Sequence, residues 1–337
     1  MMYNGEKGGE KMDTELVKML HGSRKIKWCS LLEKAGLSPD QQVDSTVLIW
    51  EDEELIATGS RWGNILKCIA VDDGHRGEDL TATVLTRLRQ DAFENGYSHL
   101  FLYTKPGNEY MFSSLLFYPI AKTSDVLLME NRLGGIREFL DSLPVVEGET
   151  VGAAVMNCDP FTRGHRYLIE TAAKECDRVY VFVLSEDRSH FSAADRLEMV
   201  KKGTADLSNV TVLPTGPYLI SAATFPTYFL KERDQAAQVQ CALDIEIFAR
   251  YYAPKFGITR RYVGTEPLSP MTQLYNEALT AKLPDKGIEL RQISRLEQGG
   301  IPVSASAVRA SLSDIEKLEQ LVPKTTLDYL TENKLLK

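Results

Sequence analysis

The sequence predicts an α/β protein of two domains, and three observations carry that prediction. At 337 residues the chain exceeds the length over which one hydrophobic core usually keeps growing. From Gly152 onward, short apolar segments alternate with segments of helical periodicity, the pattern of a doubly wound parallel sheet. Before that point, closely spaced strand-like segments precede one long amphipathic helix, which predicts an α+β unit. Residues 1–13 are polar and Gly-rich and read as a frayed, disordered tail. The first domain is then 14–143 and the second 151–337, with Pro144, Gly148 and mixed charge marking the boundary.

In the first domain, Leu16, Met19, Leu20, Leu31, Leu32 and Ala35 predict helix over 14–36. Segments 46–50 and 55–60 flank Glu51-Asp52-Glu53-Glu54 and read as a hairpin, with a further strand over 65–71. Leu80, Val84, Leu85, Leu88 and Ala92 share one face of a helix over 76–95, which Gly96 ends. A strand over 98–104, a short helix over 110–116 and a closing strand over 125–130 follow.

In the second domain, strands are expected at 152–156, 179–184, 210–213, 261–263 and 288–293. Helices are expected from near His165, over 193–203 and over 236–253, where Val239, Leu243, Ile247 and Phe248 turn inward. Residues 215–233 read as loop. Such a sheet binds ligands at its strands' C-terminal ends.

Composition excludes several classes. Hydrophobic content of 43% and charged content of 26% are those of a soluble globular protein. Net charge is −8, with −6 over 1–143 and −2 over 144–337, so neither domain is a nucleic-acid binder in bulk. The five cysteines are scattered with no Cys-x-x-Cys, which argues against a disulfide framework and suits a reducing cytoplasm. No apolar run suits a membrane span, and the N-terminus has no signal-peptide core, so a cytoplasmic location is expected. His21, His75, His99 and His190 lack metal-ligand spacing, so no protein-built metal site is expected.

The chemistry concentrates at the first strand–helix junction of the second domain, where 155–170 reads Val-Met-Asn-Cys-Asp-Pro-Phe-Thr-Arg-Gly-His-Arg-Tyr-Leu-Ile-Glu. Asp159-Pro160 supplies a turn and Gly164 lets the backbone approach a ligand. A strand, a tight loop and a helix N-terminus make an anion site, because free N–H groups and the helix dipole both favour phosphate. His165 can donate a ring N–H to a phosphate oxygen and, if charged, offset charge developing there, while Thr162 can add a hydroxyl donor. The alternative is an ordinary strand–helix turn in which His165 caps or packs. Cys158 in the same loop reads as a small semi-buried side chain, because no partner base is near it.

A second segment, Ile301-Pro302-Val303-Ser304-Ala305-Ser306-Ala307-Val308-Arg309, follows the last strand and opens a helix. Ser304 can cap it, and Arg309 offers a planar, permanently charged fork to β- and γ-phosphate oxygens. Gly264 and Glu266 end strand four, and Arg188 follows strand two.

These segments carry resemblances. Asn-x-x-Pro-Phe-Thr-x-Gly-His over 157–165 resembles the Thr/His-x-Gly-His signature of the adenylyl- and cytidylyltransferase superfamily, whose domain is Rossmann-like. Residues 301–309 resemble that superfamily's Ile-Ser-Ser-Ser/Thr-x-x-Arg motif. The resemblance implies nucleotide binding by Met156, Asn157, Phe161, Thr162, His165, Arg188, Gly264, Glu266, Ser304, Ser306 and Arg309. His165, Arg309 and Thr162 are its catalytic set. The first domain resembles the GNAT acetyltransferase fold, although Asp79 and Thr81 stand where that family has small residues around a coenzyme A pyrophosphate.

Taken with 101–106, 223–231 and 261–267, the pairing of the two domains resembles the citrate (pro-3S)-lyase ligases. That resemblance implies an acid–thiol ligase that joins acetate to ATP as acetyl-adenylate, with Mg²⁺ carried by the ATP. The acetyl group then passes to the thiol prosthetic group of the acyl carrier subunit of citrate lyase. The GNAT-like groove suggests a place for that group's pantetheine arm. An adenylyltransferase acting on a phosphate monoester (pantetheine-phosphate or nicotinamide-mononucleotide type) and a non-catalytic nucleotide and acyl-coenzyme A sensor are the alternatives.

Overall fold

Short, largely buried runs lay down a seven-stranded sheet in the N-terminal part of the chain and a five-stranded one in the C-terminal part. The computed structural model describes residues 12–40, 42–187, 189–219, 225–230, 236–265, 270–298 and 301–336. Described residues of 1–135 and 226–239 form one unit, and those of 136–225 and 240–337 form a second.

The first unit runs β1 (Met12–Val17), α1 (Gly22–Lys34), β2 (Ser45–Glu51), β3 (Glu54–Trp62), β4 (Ile65–Val71), α2 (Leu80–Glu94), β5 (Phe101–Thr104), α3 (Glu109–Ser114), β6 (Tyr118–Lys122) and β7 (Leu127–Glu130). Its sheet order is β1-β2-β3-β4-β5-β7-β6. Among the described residues of this sheet only β4 and β5 pair in parallel, at Ile65↔Phe101 and Leu66↔Leu102. The face of α2 carrying Val84, Leu85 and Leu88 packs on Val47, Ile49, Ala57 and Leu102. Tyr228 joins this unit, donating its hydroxyl to the Tyr103 carbonyl, while its own carbonyl accepts from the Ser38 N–H at 2.7 Å.

The expected helix over 14–36 is in fact a strand followed by a shorter helix. β1 pairs with β2 over its whole length, from Met12↔Glu51 to Val17↔Thr46. Sheet pairing overrides the local spacing of Leu16, Met19 and Leu20, because an edge strand gains its hydrogen bonds from a distant neighbour. β6 was also not anticipated; it is an edge strand holding Pro119, where proline is tolerated.

The second unit begins about where α4 (Gly135–Asp141) starts and continues with β8 (Val151–Met156), α5 (Arg163–Glu175), β9 (Arg178–Val183), α6 (Ala193–Gly203) and β10 (Val210–Pro214). Next come α7 (Ala236–Ile247), which counts with this unit from Gln240 onward, a π turn at Phe248–Tyr252, α8 (Ala253–Phe256), β11 (Arg260–Gly264), α9 (Pro270–Lys282) and β12 (Glu289–Ile293). The chain ends with the short β13 (Glu297–Gln298) and β14 (Ile301–Pro302), then α10 (Ala305–Arg309), α11 (Ile315–Leu321) and α12 (Lys324–Glu332).

The five-stranded sheet has the order β10-β9-β8-β11-β12, and every pairing is parallel. This is the doubly wound sheet expected from the sequence. The apolar run of β9 is buried on both faces, as a covered parallel strand requires. Chain order runs away from β8 on both sides, so the switch point of the sheet lies beside β8, where open α/β sheets hold their ligands.

Candidate nucleotide-binding site

The loop leaving β8 is shaped by its helix cap. Thr162 is the N-cap of α5, and its hydroxyl accepts from the His165 backbone N–H at 3.3 Å. In return, the Thr162 N–H donates to His165 Nδ1 at 3.1 Å. An Nδ1 that accepts leaves the proton of the neutral ring on Nε2. Burial, followed by the charge of Arg295, lowers the imidazole pKa from 6.5 to about 4. The ring is therefore a neutral donor near pH 7, so of the two roles read from the sequence it keeps N–H donation and not charge. The Thr162 hydroxyl is buried within this cap and lies 3.0 Å from Nδ1, so it positions His165 where the sequence suggested a phosphate donor. At Gly164, an added Cβ would meet the Val303 carbonyl at 3.3 Å, so the missing side chain admits the second motif's backbone.

That second motif closes on the same loop. Ser304 caps α10, its hydroxyl accepting from the Ala307 N–H at 3.2 Å. Arg309 donates through Nη1 to the Asp159 carbonyl and lies 3.3 Å from the Asp159 carboxylate. Its Nη2 donates to Ser306 Oγ at 3.2 Å. The Asp159 carboxylate also accepts from the N–H groups of Phe191 at 2.9 Å and His190 at 3.1 Å. One carboxylate thus ties three segments together, and Arg309 is oriented before any ligand arrives.

Asn157 is held by Arg196, which is fully buried and donates to its side-chain oxygen at 2.6 Å and its carbonyl at 2.9 Å. The Asn157 amide nitrogen donates to Ser189 Oγ at 3.0 Å. Phe161 does not line the cleft described below. It is fully buried in the core and lies against Gly203, which corrects its assignment as a nucleotide contact. Cys158 is buried, and burial pushes its thiol pKa up, so it is an inert packed residue as expected.

A cleft of about 540 Å³ opens at the C-terminal ends of β8, β11 and β12. Thr162, His165, Ser304, Ser306 and Arg309 all line it, so the structure brings the two distant motifs together. Met156, Asn157 and Gly264 line it as well, and the Gly264 carbonyl accepts from Asn276 Nδ2 at 2.9 Å. Arg188 and Glu266 lie outside the described residues.

Tyr275, Asn276 and Arg295 are among the lining residues that escaped the sequence reading. The Tyr275 hydroxyl donates to the buried Asp244 carboxylate and accepts from Arg261 Nη2 at 3.1 Å. Arg261 in turn lies 4.0 Å over the Phe248 ring. Burial raises the Asp244 pKa against the opposing charge of Arg261. A tyrosine and an asparagine on a helix carry no motif signature, and only the fold aims α9 at the strand ends.

The first unit holds its own cleft of about 590 Å³, lined by Ala70, His75, Thr81, Lys105, Leu115 and Tyr228 among others. Asp79, the N-cap of α2, sits in the left-handed region at φ 56 and its carboxylate caps nothing.

The comparisons with known proteins show the family. The family model of the citrate lyase ligase C-terminal domain matches residues 151–330. A citrate (pro-3S)-lyase ligase of Escherichia coli (strain K12) is 40% identical over 324 residues, covering 93% of this chain and 92% of that protein. The chain belongs to the citrate lyase ligase family. The Klebsiella pneumoniae citrate (pro-3S)-lyase ligase is 40% identical over 310 residues, covering 89% of this chain and 91% of that protein. A phosphopantetheine adenylyltransferase of Clostridium botulinum (strain 657 / Type Ba4) is 45% identical over 56 residues, 16% of this chain and 34% of that protein. As a citrate lyase ligase the chain is an enzyme, and the resemblance read from its motifs is borne out. Among the described residues, no helix is long and apolar enough to cross a membrane.

Proposed function

We propose that this ligase acetylates the thiol prosthetic group of the citrate lyase acyl carrier subunit by way of acetyl-adenylate. An acetate oxygen attacks the α-phosphorus of ATP, the bond to the β-phosphoryl oxygen breaks, and pyrophosphate departs. The carrier sulfur then attacks the acetyl carbonyl, AMP leaves with the former acetate oxygen, and the thiol proton passes to solvent. The first step needs no general base, because acetate is already ionised; positioning and charge neutralisation suffice.

The carrying observation is that His165 and Arg309 line one cleft at the switch point of the parallel sheet. In this reading His165 Nε2–H donates to a phosphoryl oxygen, and Arg309 receives the departing pyrophosphate. Thr162 and Asp159 hold those two side chains in place. Among the described residues no group of three His, Cys, Asp or Glu could hold a metal. The cleft's Asp159 is also committed to Arg309, so Mg²⁺ would be held by the triphosphate oxygens and would neutralise part of their charge. Acetate-dependent exchange of pyrophosphate into ATP tests this reading, together with AMP release when acceptor is added. A product that retains AMP would instead indicate adenylyl transfer to a phosphate monoester. ATP binding without turnover would indicate a sensor.

The first unit, in the same proposal, receives the pantetheine arm of the carrier in its 590 Å³ cleft. Thr81→Trp, which fills that cleft, should spare acetate-dependent exchange and abolish acetyl transfer. Loss of exchange as well would count against the assignment.

A further inference from the structure

The described residues lining the nucleotide cleft include two permanent positive charges, Arg309 and Arg295. His165, neutral and donating through Nε2, offers a hydrogen bond without charge. Yet the reaction proposed above brings a carboxylate onto a triphosphate, and like charges repel strongly in a water-poor site.

Arg295 lines the same cleft as His165 and Arg309. It follows β12, on a segment tied down at both sides. Its backbone N–H donates to Thr265 Oγ1 at 3.3 Å, at the end of β11. The carbonyl of the next residue, Leu296, accepts from the Val303 N–H at 3.0 Å, just before the Ser304 cap. Arg295 thus lines the cleft between the β11 end and the second motif, and its charge reaches the His165 ring. A guanidinium can bridge two phosphoryl oxygens with a planar fork, as an ammonium cannot.

We propose that Arg295 is a further catalytic residue of the adenylate-forming step, its guanidinium sharing with His165 the phosphoryl oxygens on which charge develops during carboxylate attack. This rests on the ligase reading above, and its test is built to fail separately. Arg295→Gln should slow acetate-dependent ATP–pyrophosphate exchange about a hundredfold while the acetate KM changes less than about threefold. Arg295→Lys keeps charge without the fork and should fall between the two. Free guanidinium should restore part of the rate to Arg295→Ala, a rescue that a merely structural role does not permit. Exchange by Arg295→Gln within about threefold of the unchanged protein overturns the proposal, as does failure of guanidinium to rescue Arg295→Ala.

Two readouts do not need turnover. In Arg295→Gln the His165 ring, followed by NMR, should titrate higher than in the unchanged protein, and ATP should bind about tenfold more weakly. Arg291→Gln, which alters a guanidinium paired with Glu289 outside the cleft, is the control and should leave both unchanged. Should the unchanged protein show no exchange with any carboxylate, the ligase reading fails. ATP affinity then decides Arg295 alone, unaltered binding overturning it and weakened binding upholding its phosphate contact.

Discussion

The Thr162 backbone N–H donates to His165 Nδ1 across 3.1 Å, and this bond decides which nitrogen of the imidazole faces the cleft. With Nδ1 occupied as an acceptor, Nε2 carries the proton outward. His165→Ala should therefore cut acetate-dependent exchange by about a hundredfold or more while ATP still binds, because one preorganised donor to developing charge is lost. His165→Asn, which cannot reach as far, should rescue little. Exchange within a few-fold of the unchanged protein in either variant contradicts the assignment.

The same ring predicts a pH dependence of stability. Its folded pKa is lowered from 6.5 to about 4, mainly by burial. Between those values the unfolded chain binds more protons than the folded one, so this group makes stability rise with pH over that window and leaves it level above. His165→Gln cannot titrate and should flatten that part of the curve. Urea midpoints at pH 4.5 and pH 7 measure it, and an unchanged difference between them in the variant would falsify the shift.

Arg309 predicts a split between chemistry and folding. Lysine at this position keeps the charge but cannot reach the Asp159 carbonyl, the Asp159 carboxylate and Ser306 together. Arg309→Lys should slow exchange about tenfold to a hundredfold and lower stability by about 1–3 kcal/mol, the range for losing a charge-assisted hydrogen bond. Denaturant unfolding and exchange assays on one preparation check both halves. A variant with normal kinetics shows that Arg309 serves the fold alone.

Cys158 predicts an absence of reactivity. It is buried in the site loop, and burial raises its pKa, so little thiolate forms at neutral pH. Cys158→Ala should keep full exchange and transfer, and mass spectrometry after iodoacetamide treatment of the native protein should find this thiol unmodified. Rapid alkylation with loss of activity would mean the loop opens far more than its hydrogen bonds suggest.

What was legible in the sequence was local. The β8–loop–α5 junction and the start of α10 announce themselves through turn residues, a cap and helical spacing within about ten positions. Their meeting was legible only through two resemblances read in order. Arg295, Tyr275 and Asn276 were not legible, since each is a single polar residue that the fold alone brings to the strand ends. β1 was hidden because an edge strand declares itself through a distant partner, here β2, paired from Met12↔Glu51 to Val17↔Thr46. His165 looked like a source of charge because the burial that neutralises it is a property of the folded cleft.

Phe161 supplies the sharpest separation of motif from role. It stands inside the first motif, yet its ring is fully buried, stacked 6.0 Å from the His165 ring and seated against Gly203 of α6. Its role is to hold α6 and the loop in one core, on whose rigidity the His165 geometry depends. Phe161→Ala should therefore lower stability by about 3–5 kcal/mol, the range for deleting a buried aromatic ring. Phe161→Leu fills most of the space and should cost less, leaving ATP affinity within about threefold once folded. Calorimetric ATP titration of the leucine variant at a temperature below its melting transition is the deciding measurement. Loss of ATP binding without loss of stability would return Phe161 to the nucleotide's own contacts.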